Sequence, residues 1–168
     1  MKAMASWSTQ RCLQEAREAC GGLGYSHYSR LGTMLQDQDV NQTWEGDNNV
    51  LLQQTAKFMV DIGRKRMKGT KVTTQTLEWL ALEPVAGRTF PAKSREDLFN
   101  IDILVSALEH RANARMQKSA MRIAPKIMGE NKMHPVDAWN DTQVFYLHDL
   151  GKHYATVVAA HEFRYTVG

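Results

Sequence analysis

The sequence is poor in the residues that stabilise small secreted proteins and in the long apolar runs of membrane proteins. Cysteine occurs only at Cys12 and Cys20, too few for a disulfide scaffold, and on a helix the two would point different ways. We therefore expect two reduced thiols. No apolar run approaches the roughly 18 residues of a membrane span. The first ten residues carry one lysine with no apolar stretch behind it, so no signal peptide is predicted.

An excess of charge of one sign is also absent. The 168 residues contain 21 Lys or Arg and 18 Asp or Glu, a net charge of +3. Five of the bases lie together at Arg64, Lys65, Arg66, Lys68 and Lys71; without them, 16 bases face 18 acids. This cluster could hold a phosphate group of a ligand, contact nucleic acid or form a solvated loop. We favour the loop, because no aromatic residue is interleaved to stack on bases. No nucleic-acid partner is predicted.

Histidine is present, but not in the arrangement of a metal site. Six histidines are scattered along the chain; His148 and His153 are five apart, but no Cys or His pair with zinc-site spacing lies near them. We expect them to lie on helix surfaces or in the core, and we predict no metal.

Apolar residues recur at spacings of three and four, the pattern of amphipathic helices. They predict a helix over residues 3–20 and a second over 47–62, capped by Asp47 or Asn48. No alternation of apolar and polar residues lasts long enough to indicate a strand. The predicted fold class is therefore all-α, a helical bundle.

The second half predicts two further helices. Ser94 and Asp97 resemble a capping box that starts a long helix, whose far end is bounded by Pro125 and Gly129. A fourth helix is predicted to start near Pro135, since proline is favoured in the first helical turn. We expect a set of methionines and tryptophans to pack in the core: Met116, Met121, Met128, Met133, Trp7, Trp79 and Trp139.

Two segments interrupt the helical pattern. Residues 21–44 contain four glycines and are predicted to be a connector with at most one short helical turn; Gly21 and Gly22 end the first helix. Residues 67–93, with prolines and the end of the basic cluster, are predicted to be a linker. This divides the chain into two helical lobes, residues 1–66 and 94–168.

The residues that could bind a ligand or act in catalysis are concentrated between Cys20 and Gln54. Glycines let backbone N–H groups approach an anion such as a pyrophosphate, and the helix that begins near Asp47 adds its free N–H groups. Glu45 is a carboxylate that a partly apolar environment could hold ready as a base. From the residues alone, two simpler interpretations stay open: the glycine pair ends a helix, and Glu45 is a solvated acid.

Two motifs in this region occur in a specific order. Residues 18–26 read EACGGLGYS, and residues 43–55 read TWEGDNNVLLQQT. Together they resemble the peroxisomal acyl-CoA oxidases, which belong to the acyl-CoA dehydrogenase superfamily. The resemblance covers roughly residues 3–62, and the LQQT at 52–55 leans toward the branched-chain, pristanoyl-type members.

The resemblance implies an activity and assigns roles. Glu45 would remove the α-proton of a fatty acyl-CoA while a β-hydride passes to FAD, giving a trans-2-enoyl-CoA; O2 would reoxidise the flavin and yield hydrogen peroxide. Gly46 is assigned to the substrate. FAD is assigned to Gly21 and Gly22, in the family often the FAD of the neighbouring subunit of a homodimer, and to two residues after the base, Asp47 and Asn49. Peroxisomal location is implied by the resemblance alone.

The sequence also departs from the family. Leu23 replaces the histidine most common between the loop glycines, and family members are several hundred residues long, with an amino-terminal helical domain and a β-domain. The chain therefore resembles a carboxy-terminal fragment, which we expect to be colourless and inactive by itself. An alternative is a non-catalytic helical interaction module derived from that fold.

Overall fold

The computed structural model describes residues 1–70, 77–80, 89–130 and 132–167, and these residues form helices and no strand. The predicted all-α class is confirmed. The chain divides into two compact units, Met1–Leu51 and Leu52–Gly168.

Unit 1 is built on α1 (Lys2–Ala19), followed by α2 (Gly21–Tyr25) and α3 (Leu31–Asp39). The first predicted helix is confirmed, and Gly21, with φ +56°, ends it in the left-handed conformation that glycine adopts without steric cost. The predicted connector over residues 21–44 is wrong, because it contains two helices and two 3-10 turns, His27–Ser29 and Val40–Gln42.

The helices of this segment are too short to show a period in the sequence. They form because they pack on α1, and the side-chain amide of Gln38 donates to the Ser6 carbonyl (3.4 Å). Tertiary contacts thus override a glycine-rich sequence of low helix propensity.

Helix α4 (Asn48–Met67) confirms the second predicted helix and extends it by five residues. Asp47 caps it: its Oδ1 accepts hydrogen bonds from the N–H groups of Asn49 (2.9 Å) and Val50 (3.2 Å). The prediction of a solvated basic loop is wrong for Arg64, Lys65 and Arg66, which lie in the last turn of α4.

Arg66 from that turn has a structural role. Its guanidinium donates to the carbonyls of Leu77 and Leu80, both at 2.7 Å. Leu77 and Leu80 are buried in the core of unit 2, although they fall inside the predicted 67–93 linker. Lys71 and most of that linker (71–76 and 81–88) lie outside the described residues, so the division at 67–93 stays a prediction.

Unit 2 also contains α5 (Ile101–Met128), α6 (Pro135–Thr142) and α7 (His148–Val167), with a π-helical turn at Gln143–Leu147 between the last two. Pro135 opens α6 as predicted. The predicted fourth helix is thus two α-helices joined by this π-helical turn.

The predicted start of the long helix at Ser94 is wrong, although the capping box forms. The Ser94 N–H donates to Asp97 Oδ2 (2.9 Å) and the Asp97 N–H to Ser94 Oγ (3.2 Å), but they open only a 3-10 turn at Glu96–Phe99. Asn100 then adopts extended backbone angles and caps α5 by accepting from the Asp102 N–H (2.9 Å).

The core of unit 2 joins α4, α5, α6, α7 and the π-turn, and its largest fully buried side chains include Met59, Leu77, Leu147 and Leu150. The packing predicted for Trp79, Trp139 and Met116 is confirmed, since all three pack against this core. Trp7 is half-buried in unit 1. The core prediction is wrong for three methionines that are exposed to solvent: Met121, Met128 and Met133.

Candidate functional site

The predicted base lies in a left-handed turn directly before α4. Glu45 has φ +54° and Gly46 has φ +97°. The left-handed conformation costs a non-glycine residue about 1–2 kcal/mol, so the surrounding structure must hold Glu45 there. A Cβ added to Gly46 would lie 2.9 Å from Leu51 Cδ2, so the position suits glycine in both conformation and space.

A buried amide holds this turn against α1. Asn48 is 1% exposed and donates through Nδ2 to Ser6 Oγ (2.8 Å). The Lys2 ammonium donates to Asn48 Oδ1 (2.9 Å) and to the Gly46 carbonyl (2.8 Å). These contacts fix the backbone on either side of Asp47, which caps α4.

Sequence reasoning missed Lys2, Ser6 and the supporting role of Asn48. Lys2 is 44 residues from Gly46, and no local motif signals a contact at that separation. A buried asparagine beside this motif is also indistinguishable in sequence from an exposed helix cap.

The side chains of this turn are open to solvent. Glu45 is exposed and forms no ion pair with the residues that the structure describes. The partly apolar environment expected around it is therefore not formed within unit 1. Gly46 and Asn49 are also exposed, and Asp47 is half-buried.

Gly21 and Gly22 form a separate open surface. Both are exposed, and a Cβ added to either would meet no atom within 4 Å. Without side chains, the backbone at these two positions can be approached closely by a ligand. Leu23, which replaces the family's usual histidine, is exposed beside them.

The structure does not bring the two predicted cofactor regions together. Lys2, at the start of α1, contacts Gly46, whereas Gly21 follows the end of the same helix. An 18-residue helix is about 27 Å long. The glycine pair and the Glu45 turn therefore lie near opposite ends of α1.

Unit 2 contains other concave surfaces. A cavity of about 310 Å³ is lined by apolar residues that include Val60, Ile123 and Trp139, together with Lys57 and Arg64. A second, also of about 310 Å³, lies beside Trp79 and His110. Neither includes a predicted site residue.

Metal-binding clusters and membrane-spanning helices are both absent from the part of the chain that the structure describes. Across residues 1–70, 77–80, 89–130 and 132–167, no group of three or more His, Cys, Asp or Glu side chains could hold a metal ion. No helix in the same ranges is long and apolar enough to cross a membrane. Cys12 and Cys20 are free, exposed thiols.

Comparison with known proteins identifies the family. Residues 1–60 match the family model of the acyl-CoA oxidase C-alpha1 domain. The chain is 54% identical over 61 residues to human peroxisomal acyl-coenzyme A oxidase 3, covering 36% of this chain and 9% of that protein. It is 34% identical over 149 residues to peroxisomal acyl-coenzyme A oxidase 1 of Phascolarctos cinereus, covering 86% and 22%.

A solved structure supports the same family. The crystal structure of acyl-CoA oxidase 3 from Yarrowia lipolytica matches with a TM-score of 0.78 and 28% identity, covering 93% of this chain and 22% of that one. The chain thus spans less than a quarter of the length of each of these relatives. Two motifs, a family model and a shared helical fold agree, and the chain belongs to the acyl-CoA oxidase family, of which it represents a carboxy-terminal part.

Proposed function

We propose that this chain contributes the catalytic base and part of the FAD-binding surface of an FAD-dependent oxidase that converts fatty acyl-CoA to trans-2-enoyl-CoA and O2 to hydrogen peroxide. The observation that carries the proposal is the left-handed Glu45–Gly46 turn, held by Lys2 and Asn48 at the amino end of α4. Strained backbone at a non-glycine residue is characteristic of functional sites.

Each residue has a defined task in this proposal. Glu45 takes the α-proton of the thioester on a carboxylate oxygen, and the turn fixes where that oxygen lies. Gly46, next to the base, is assigned to the substrate by the family resemblance, and its exposed backbone is open to a ligand on the side away from Leu51. FAD, when bound, accepts the β-hydride, which no protein side chain can accept. Because Glu45 is exposed in unit 1, the apolar surroundings that favour proton abstraction must come from the rest of the complete oxidase.

The separation along α1 supports a homodimer. Gly21 and Gly22 lie near the opposite end of α1 from the Glu45 turn, and α1 is about 27 Å long. We infer that the glycine pair contacts the FAD of a neighbouring subunit, while Asp47 and Asn49 contact the FAD beside Glu45. One chain then serves two cofactors.

The base assignment is tested in a complete acyl-CoA oxidase that carries this segment. Glu45→Gln should lower hydrogen peroxide production from an acyl-CoA by about 100-fold to 10,000-fold, the usual contribution of a general base, while bound flavin absorbance is unchanged. Glu15→Gln is the matched control, since Glu15 is an exposed acid of unit 1. Activity that survives Glu45→Gln contradicts the assignment.

The inter-subunit arrangement has its own test. Co-expression of a Glu45→Gln subunit with a Gly22→Leu subunit should restore activity in mixed dimers, because one site then has both an intact base and an intact partner glycine loop. If the glycines serve the FAD of their own chain, no mixed dimer has a complete site, and activity stays at the level of the single variants.

A second candidate is the non-catalytic interaction module, which the solvent exposure of Glu45 favours. Absorbance spectra of the complete protein incubated with FAD distinguish the two, because only the oxidase should bind flavin. We expect no bound flavin in this chain alone, because most of the family's length lies outside it. If the complete protein also binds no flavin, the module is the better description. Peroxisomal location and preference for branched acyl chains stay predictions.

A further inference from the structure

A row of cations runs along α5, outside the candidate site. Residues 110–129 contain five Lys or Arg and no Asp or Glu. Their spacings of four, three, four and four residues place them on one side of the helix, over about 22 Å. We call them the basic stripe: Arg111, Arg115, Lys118, Arg122 and Lys126.

Acidic neighbours neutralise only part of the stripe. Arg115 pairs with Asp149, and Lys126 pairs with Asp141. The other three members, Arg111, Lys118 and Arg122, are exposed and form no ion pair within the described residues. The stripe therefore keeps a net positive charge of about three, which equals the net charge of the whole chain.

The π-helical turn holds two of the cations in place. Arg115 donates to the Phe145 carbonyl (2.9 Å) and Arg122 Nε donates to the Tyr146 hydroxyl (3.2 Å). Both guanidinium groups also lie over the Tyr146 ring, at 5.5 and 5.7 Å from its centre. These contacts preorganise the stripe, since π-helical turns often occur at functional positions and the arginines lose little further freedom on binding.

Apolar side chains project beside the ordered cations. Val144 is 64% exposed and Phe145 is 75% exposed, and Phe145 lies four residues from each of the two acids that pair with the stripe. Exposed apolar side chains of this size next to a cluster of cations have no packing role within unit 2.

We propose that the basic stripe, with Val144 and Phe145, binds the surface of a membrane that contains anionic phospholipid. Clusters of four to eight Lys or Arg on an amphipathic helix are typical of anionic-lipid binding, and aromatic or aliphatic side chains enter the headgroup layer. A nucleic acid or an acidic peptide would use the cations but would leave Val144 and Phe145 in water. A lipid surface uses both.

The test measures sedimentation of the full chain with vesicles of phosphatidylcholine, with and without phosphatidylserine. The double variant Arg111→Gln, Lys118→Gln should lower the partition coefficient about 25-fold, since each cation near an anionic surface contributes about fivefold. Its matched control is Arg95→Gln, Lys132→Gln, which removes the same charge from exposed positions outside the stripe. The control pair should retain most of the binding.

The apolar contribution is tested separately. Phe145→Ala should weaken vesicle binding without any change in charge, whereas Phe99→Ala, at another exposed phenylalanine, should not. All of these positions are exposed, and circular dichroism checks that the variants fold.

Three results would overturn the proposal. One is equal binding to vesicles without phosphatidylserine, and another is an equal loss in the stripe and control double variants. The third is an unchanged affinity in Phe145→Ala together with equally tight binding of a DNA duplex or poly-glutamate, which would make the stripe a general polyanion or peptide surface. The same assay on the complete oxidase extends the test, and absence of binding there rules out a role in the assembled enzyme.

Discussion

The buried amide of Asn48 offers the most direct test of how unit 1 supports the candidate base. Replacing Asn48 with alanine removes the hydrogen bond to Ser6 Oγ and the acceptor for the Lys2 ammonium. A neutral hydrogen bond contributes about 0.5–1.5 kcal/mol and one to a charged group about 1.5–3 kcal/mol. Lys2 keeps its bond to the Gly46 carbonyl and can be solvated, so the expected loss is about 2–3 kcal/mol.

The assay is equilibrium urea unfolding of the chain, followed by circular dichroism. Gln54→Ala is the control, because it removes an exposed amide from the same helix and should change stability by less than about 0.5 kcal/mol. Asn48→Asp is an intermediate case: it keeps the acceptor for Lys2 and loses the donor to Ser6. If Asn48→Ala is as stable as Gln54→Ala, the network does not hold the turn, and the argument for a supported, strained Glu45 is refuted.

Four further predictions concern unit 2. A Cβ at Gly151 would lie 2.6 Å from the Leu52 carbonyl oxygen. Gly151→Ala should therefore destabilise the chain by about 1–2 kcal/mol in urea unfolding, although alanine has the higher helix propensity. A rise in stability would contradict the close approach of α7 to α4. Removing the α5 cap with Asn100→Ala should cost about 1 kcal/mol by the same assay, whereas an unchanged midpoint would mean that the cap is replaced by water. Hydrogen bonds from the Lys93 and Ser94 N–H groups lower the pKa of Asp97 below 3.8. The contribution of Asp97 to stability is therefore present above pH 3.8 and is lost as the pH falls through the folded pKa. Asp97→Asn should remove this acid dependence, and an NMR titration that finds no lowered pKa would refute the account. Burial lowers the pKa of His153 below 6.5, and this effect exceeds the opposite effect of nearby Asp149. The stability of the chain should therefore fall as the pH drops from 6.5 toward the folded pKa, and His153→Gln should reduce that fall. An NMR pKa above 6.5 would show that Asp149 dominates.

The fold class was predictable because α1, α4 and α5 are long enough for their apolar residues to repeat several times. The same reasoning failed over residues 21–44, where α2 and α3 are too short to show a period and form only against α1. The prediction of where α5 starts failed for a different reason. Ser94 and Asp97 make the predicted reciprocal hydrogen bonds, yet the extended backbone of Asn100 restarts the helix at Ile101.

The candidate site also contains residues that the local sequence predicts and residues that it does not. The identities of Glu45, Gly46 and Asp47 follow from a contiguous motif, and the family resemblance that rests on it is confirmed by the comparisons. Their support does not follow, because it runs through Asn48 to Lys2 and Ser6, which are 46 and 42 residues from Asn48 along the chain. The spacing of the basic stripe can be read from the sequence, but its ion pairs with Asp141 and Asp149 and its contacts with Tyr146 join segments that are distant along the chain.

By itself, then, the sequence determined what depends on local pattern: an all-α chain, the capped start of α4 at Asp47, the glycine stop at Gly21, and membership of a family through two ordered motifs. The tertiary structure decided what depends on contacts between distant segments. It buried Leu77 and Leu80 in the core of unit 2, set the glycine pair and the Glu45 turn near opposite ends of α1, and placed Arg115 and Arg122 of α5 against the π-helical turn. The physical reason is that helix periods and caps are encoded within a few residues, whereas burial and long-range hydrogen bonds exist only once the chain has folded.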